Sequence, residues 1–184
     1  MSLSMTLKGL AGVTALCMAS TGFASYDRPD TREERVWLDQ HNAVRAQFGS
    51  APVRWNSDLE REAQQWANQL ARSNQFQHSD TRSRNGTGEN LWMGTRGYYQ
   101  PAQMIAGFVE ERRYFRPGRF PQVSRTGNWA DVGHYTQIVW PETREVGCAK
   151  AANRANEVLV CRYWPSGNVM GKALAPARKV ARRR

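Results

Sequence analysis

Two apolar runs near the C-terminus, residues 145–152 and 157–164, constrain the fold of this chain more than any other feature. A short turn that contains two asparagines separates them, so their spacing predicts one antiparallel β-hairpin. Each run carries one cysteine, Cys148 and Cys161, and pairing of the two strands would let the sulfurs bridge them. The alternative is a pair of buried free thiols.

The segment before the hairpin, residues 133–140 (GHYTQIVW), alternates with a period of two. His134, Thr136, Ile138 and Trp140 would share one face of a strand. We therefore predict a further strand here.

The first two thirds of the chain are predicted to be helical. Apolar residues recur at helical spacing in residues 30–48, 56–73 and 101–115. Residues 80–88 and 116–127 are polar or rich in proline and glycine, which predicts loops. A chain of 184 residues without an internal repeat is one domain by its length. Helices first and an antiparallel sheet last predict an α+β architecture.

The N-terminus has the pattern of a secretory signal. Residues 9–24 are apolar or small, follow the positive charge of Lys8 and are short for a membrane span. Small residues before a cleavage point after Ala24 predict a signal at residues 1–24. The mature chain would then be extracellular or periplasmic, without a transmembrane span; a retained anchor is the alternative. Cys17 would leave with the signal, and an even pair of cysteines in an oxidising compartment favours the disulfide.

The positive charge is concentrated at the C-terminus. The formal net charge is +10, and residues 172–184 carry six basic residues and no acid. We predict a domain at residues 25–171 and a disordered tail at 172–184. The tail could bind an anionic membrane or envelope surface, or be solvated without a partner. Nucleic acid is disfavoured because no aromatic residue is interleaved with the arginines.

Residues 133–140 and 161–168 (CRYWPSGN) resemble the two signature motifs of the CAP superfamily, which comprises cysteine-rich secretory proteins, antigen 5 and pathogenesis-related 1 and is also called SCP or PR-1-like. The second segment fits the pattern C-x-Y-x-P-x-G-N at every fixed position. The resemblance covers about residues 33–170 and implies a three-layer α-β-α sandwich with a central antiparallel sheet. A single-disulfide domain of this kind is expected to be bacterial and monomeric.

The resemblance also implies a cleft that holds two histidines and two glutamates. The four matching positions are His78, Glu89, Glu111 and His134. Glu111 is favoured over Glu110 because residues 108–111 (FVEE) fit the family pattern W-x-x-E, with Phe108 in place of tryptophan. His41, in a pattern similar to the family's H-N-x-x-R, is expected to be buried and hydrogen-bonded.

Such a cluster has definite chemistry. Two neighbouring carboxylates repel each other unless protonated histidines or a metal ion lie close by. Imidazole suits zinc, but His78 and His134 alone supply fewer ligands than catalytic or structural zinc sites use. We therefore expect at most a weak, exchangeable Zn²⁺ site. The alternative is a structural network that joins the helices to the sheet.

Two functions are compatible with this cluster. The first is a secreted module that binds a lipid, a sterol-like molecule or another small ligand, as family members do. The second is an extracellular hydrolase, a peptidase or a cell-wall-directed enzyme, in which Glu89 and Glu111 would be catalytic, with or without zinc. The chain contains no HExxH motif.

Overall fold

The computed structural model describes residues 29–177, so the predicted signal at 1–24 lies outside the described residues. The helices are α1 (Arg32–Phe48), α2 (Ser57–Ser73), α3 (Pro101–Val109) and α4 (Gly133–Val139). The strands are β1 (Arg54–Trp55), β2 (Gly88–Thr95), β3 (Gly118–Arg119), β4 (Glu145–Ala152), β5 (Asn156–Trp164) and β6 (Ala173–Leu174). Short 3₁₀ turns cover Thr81–Arg84, Glu110–Tyr114 and Trp129–Val132. No helix in this part of the chain is long and apolar enough to cross a bilayer.

The central sheet has the strand order β1-β4-β5-β2. β5 pairs antiparallel with both β4 and β2, while β1 pairs parallel with the start of β4. Alternate residues of β5 enter different cores. Val158 and Val160 pack with the apolar face of α2, whereas Leu159, Cys161 and Tyr163 pack with the helices on the other face. The predicted α-β-α sandwich is therefore confirmed.

The predicted hairpin is also confirmed. Cys148 lies directly opposite Cys161 in the register of β4 and β5, and the two form a disulfide. Both cysteines are almost completely buried. The bond therefore fixes the register of β4 and β5 from inside the core.

The predicted strand at residues 133–140 is wrong, because residues Gly133–Val139 form α4. Every residue from 135 to 139 is buried, so the segment shows no polar face from which a helical period could be read. The carboxylate of Glu111, from a distant segment, accepts hydrogen bonds from the backbone N–H groups of His134 and Tyr135. This long-range contact satisfies donors at the start of the helix and overrides the β propensity of its residues.

The predicted helix over 101–115 is shorter than expected, since α3 ends at Val109 and the chain continues as a 3₁₀ turn. The folded part also continues past the predicted boundary at residue 171. Leu174 is completely buried in β6, which pairs with β3, and the backbone N–H of Ala177 donates to the carbonyl of Phe48. Five of the six basic residues of the predicted tail lie beyond the described residues.

Two buried polar side chains of α1 connect the layers. The guanidinium of Arg45 donates to four carbonyls, those of Ala51, Ile138, Trp140 and Thr143. His41 is 1% exposed and contacts the Trp37 carbonyl through Nδ1 and the Tyr163 hydroxyl through Nε2. The expected buried role of His41 is therefore confirmed.

Candidate functional site: a cleft at the start of β2 and α4

A cleft of ≈ 670 Å³ opens where the start of β2, the start of α4 and the loop after β5 meet. One part of its wall is polar and titratable, with His78, Arg84, Glu89, Asn90 and His134. Another part is apolar, with Phe120, Trp129 and Met170. Of these apolar side chains, Trp129 is 42% and Met170 is 65% exposed. The cleft therefore offers both a charged and an apolar surface to a small molecule.

Glu89 is the centre of the first polar cluster. Its Oε1 accepts hydrogen bonds from Nδ1 of His78 at 2.7 Å and from the backbone N–H of Ser79 at 3.0 Å. Its Oε2 accepts from the Ser79 hydroxyl and lies 3.2 Å from Arg162 Nη2. The Glu89 side chain is 0% exposed, whereas the His78 side chain is 53% exposed. The imidazole of His78 is therefore presented to the cleft by a carboxylate buried behind it.

These partners keep Glu89 ionised. Burial is the largest single influence and pushes the pKa of its carboxyl upward. The hydrogen bonds from His78 and Ser79 and the positive charge of Arg162 together outweigh burial, so the pKa of Glu89 is lowered. A carboxylate that is fully enclosed and saturated in this way is suited to holding His78 in place.

His134 and Glu111 form the second cluster. Nδ1 of His134 lies 2.5 Å from Glu111 Oε1, while Glu111 Oε2 accepts the two backbone hydrogen bonds at the start of α4. The ring of His134 stacks on Phe108, with ring centroids 4.9 Å apart. Glu110, the adjacent acid, is exposed to solvent. Glu111 is thus the glutamate that the structure brings to His134.

The structure therefore arranges the four expected residues as two separate His–Glu pairs. In each pair Nδ1 faces the carboxylate, which leaves Nε2 as the ring nitrogen available to a ligand. His78, Glu89 and His134 line the cleft, and Glu111 acts on it through His134. Both carboxylates already hold several hydrogen bonds, which favours positioning roles for them over the catalytic roles considered above.

The donor atoms fit a divalent metal only in part. Within residues 29–177, one group of three His, Cys, Asp or Glu side chains lies close enough together to share an ion. Its members are His41, Cys148 and Cys161. The two cysteines are joined in the disulfide and both ring nitrogens of His41 are hydrogen-bonded, so that group is already saturated. In the cleft, the free donors for a metal are the Nε2 atoms of His78 and His134.

Glycines and amides shape the wall of the cleft. Gln137 Oε1 accepts from the backbone N–H of Gly167, and a Cβ atom at Gly88 would collide with the same oxygen. Asn168 has a positive φ of 57° and bridges the Gly133 carbonyl and the Thr136 hydroxyl. The two signature segments are therefore joined side chain to backbone at the cleft.

Sequence reasoning missed two basic residues of the site, Arg84 and Arg162. Arg84 lies in a segment that was predicted only as a loop, and Arg162 occupies a variable position of the second signature. The register of β2 and β5 places Arg162 directly opposite Glu89. Arg84 Nη1 lies 3.8 Å from the same carboxylate.

Comparison with known proteins agrees with this architecture. The family model described as CAP, the cysteine-rich secretory protein family, matches residues 38–163. Pathogenesis-related protein 1C of Nicotiana tabacum is 35% identical over 142 residues, which are 76% of this chain and 79% of that protein. Pathogenesis-related protein PRMS of Zea mays is 30% identical, over 73% of this chain and 78% of that protein.

Solved structures share the fold. The crystal structure of NaASP2 with Zn²⁺ has a TM-score of 0.67 and 26% identity, and it covers 82% of this chain and 90% of that chain. BmVAL-1 has the same TM-score at 22% identity, covering 82% of this chain and 87% of its own. The expected family is therefore confirmed, and the chain belongs to the CAP family of cysteine-rich secretory proteins.

Proposed function

We propose that this chain is a secreted small-ligand-binding protein whose cleft holds an amphipathic molecule such as a lipid or a sterol-like compound. The observation that carries the proposal is the two-sided wall of the cleft, polar around His78 and apolar around Trp129 and Met170. Ligand sites are mostly apolar concavities with a few placed polar groups, and the volume of the cleft lies in their usual range.

The apolar side of the cleft is expected to contribute affinity for the chain of such a ligand. We expect the double substitution Trp129→Ser and Met170→Ser to weaken binding of a fluorescent fatty acid, dansyl-undecanoic acid, by about tenfold or more, because an aromatic anchor often dominates an interface. Fluorescence titration measures the dissociation constant.

Met93→Ser with Tyr98→Ser is the matched control, since both side chains are exposed, at 45% and 74%, and neither lines the cleft. The control variant should bind as tightly as the parent. Equal affinity of the parent and the Trp129/Met170 variant would contradict binding in this cleft.

Zinc is expected to be a weak and secondary component. The Nε2 atoms of His78 and His134 would hold it, and bound zinc would supply a positive charge for an anionic or carbonyl group. Native mass spectrometry should find at most one zinc on the parent and none on the folded His78→Ala/His134→Ala variant. Zinc retained by that variant would assign the metal to other residues.

Secretion is part of the proposal. The buried disulfide supports it, because such bonds persist in oxidising compartments, and relatives belong to a family named for secretory proteins. The mass of the exported chain would show whether residues 1–24 are removed. The basic residues of segment 172–184 are proposed to contact an anionic envelope or membrane surface.

A further inference from the structure

The part of the cleft around Glu89 contains more cationic groups than its carboxylate can neutralise. Arg162 Nη2 lies 3.2 Å from Oε2 of Glu89 and Arg84 Nη1 lies 3.8 Å from Oε1. Arg162 also interacts with the charge of Glu62. Within residues 29–177, Glu89 is the one acid that pairs with Arg84. Arg84 shares this carboxylate with Arg162 and His78. Arg84 therefore keeps most of its positive charge unneutralised.

The hydrogen bonds of Arg84 do not use all the N–H donors of its guanidinium. Nη2 donates to the Thr81 hydroxyl at 2.7 Å, and the 3.8 Å separation of Nη1 from Glu89 is too long for a hydrogen bond. Its Nε is buried and has no hydrogen-bond partner among the described residues. A guanidinium that only stabilised the fold would satisfy more of its donors, because each buried unpaired donor destabilises the folded state.

The backbone nevertheless fixes where Arg84 lies. It ends the 3₁₀ turn Thr81–Arg84, and its carbonyl accepts from both the backbone N–H and the hydroxyl of Thr87. The next residue, Asn85, has a positive φ of 47°, which reverses the chain. The Arg84 side chain is only 16% exposed and lines the cleft, on the same wall as His78. The Arg84 side chain is therefore held at the wall of the cleft by a hydrogen-bonded turn.

We propose that Arg84 binds an anionic group of the ligand, a phosphate or a carboxylate. This inference rests on the proposed function, in which an amphipathic molecule occupies the cleft. A guanidinium recognises both anions through paired N–H donors. A cationic head group is disfavoured because Glu89, the local negative charge, is enclosed and already paired.

The test compares three probes on the folded protein by titration calorimetry at low salt. The probes are decyl phosphate and decanol, both below micelle-forming concentrations, and inorganic phosphate. The parent should bind decyl phosphate more tightly than decanol. Arg84→Met should weaken decyl phosphate and inorganic phosphate by about tenfold, the scale of one or two charge-assisted hydrogen bonds, and leave decanol unchanged.

Arg82→Met is the matched control, because Arg82 is exposed on the same turn and does not line the cleft. Its substitution removes the same net charge as Arg84→Met. It should leave binding of all three probes unchanged. Should Arg84→Met fail to fold, Arg84→Lys keeps the charge without the planar fork and should lose part of the phosphate affinity.

The outcomes separate the two proposals. If both arginine variants weaken phosphate binding equally, or if Arg84→Met has no effect, the anion site is overturned. If decanol binds and the phosphate group adds no affinity, the anion site falls while the amphipathic ligand stands. If inorganic phosphate binds through Arg84 and the decyl chain adds nothing, the anion site stands and the amphipathic ligand falls.

Discussion

Replacement of Arg45 by methionine should lower the free energy of unfolding by at least about 4 kcal/mol. It leaves several buried carbonyls without a hydrogen-bond donor, and each such carbonyl destabilises the folded state by about 1 kcal/mol or more. The residue is 0% exposed and its guanidinium donates to four carbonyls. Burial lowers the pKa of Arg45 to about 10, so the group is still charged at neutral pH. Urea unfolding followed by circular dichroism measures the loss.

Arg35→Met on the same helix is the matched control. Arg35 also donates to carbonyls, those of Pro29 and Asp30, but it is exposed and water can replace its bonds. Its substitution should change stability by no more than about 0.5 kcal/mol. Similar losses for the two variants would contradict the role assigned to Arg45, which is to hold the end of α4 and the following loop against α1.

Acidification should destabilise the fold by about 3 kcal/mol between pH 6.5 and pH 4 through His41 alone. Burial lowers the pKa of His41 from 6.5 to about 4. The unfolded chain therefore binds a proton in this window that the folded chain does not, and stability is lost as the pH falls. Unfolding free energies measured in urea at a series of pH values give the slope.

Burial is the main reason that His41 resists protonation, and the contact of its Nε2 with the Tyr163 hydroxyl acts in the same direction. The Trp37 carbonyl can only accept, so Nδ1 carries the proton and Nε2 accepts from the Tyr163 hydroxyl, which itself accepts from Asn90 Nδ2. A second proton on Nε2 would set donor against donor. His41→Gln should be less stable at neutral pH but should lose the slope between pH 6.5 and 4.5. A slope that persists in the variant would assign the acid sensitivity elsewhere; Glu89, with its lowered pKa, acts at lower pH.

The β4–β5 hairpin was predictable because its pattern is local, whereas β1 and β2 of the same sheet were not predicted. Each cysteine-bearing run is a largely apolar stretch, and both strands are buried along most of their length, as expected for strands covered on two faces. The helix at Gly133–Val139 was not predictable in this way, because it is buried on all sides and a carboxylate from another segment satisfies its first N–H groups. Its helical conformation depends on tertiary contacts rather than on hydrophobic periodicity or on the intrinsic propensity of its residues.

In the site, too, some residues could be predicted from the sequence and others could not. The histidines and glutamates could be anticipated only from the family resemblance, and their separation into two pairs required the structure. Arg162 lies opposite Glu89 because of the register in which β2 and β5 pair. This register cannot be inferred from either segment of sequence alone. Arg84 gave a weak signal, one more basic residue in a polar turn, and its position beside the cleft emerged only from the fold.

Because β1 is short, no strand in the described part of the chain pairs with most of the outer border of β4. β1 covers β4 only at Glu145 and Val146, so the rest of that border would be a template for strand addition. Side chains block it instead: Gln64 donates to the Lys150 carbonyl, and the Lys150 ammonium pairs with Glu33 of α1. A hydrogen-bonded amide and a fixed charge at this border work against edge-to-edge aggregation.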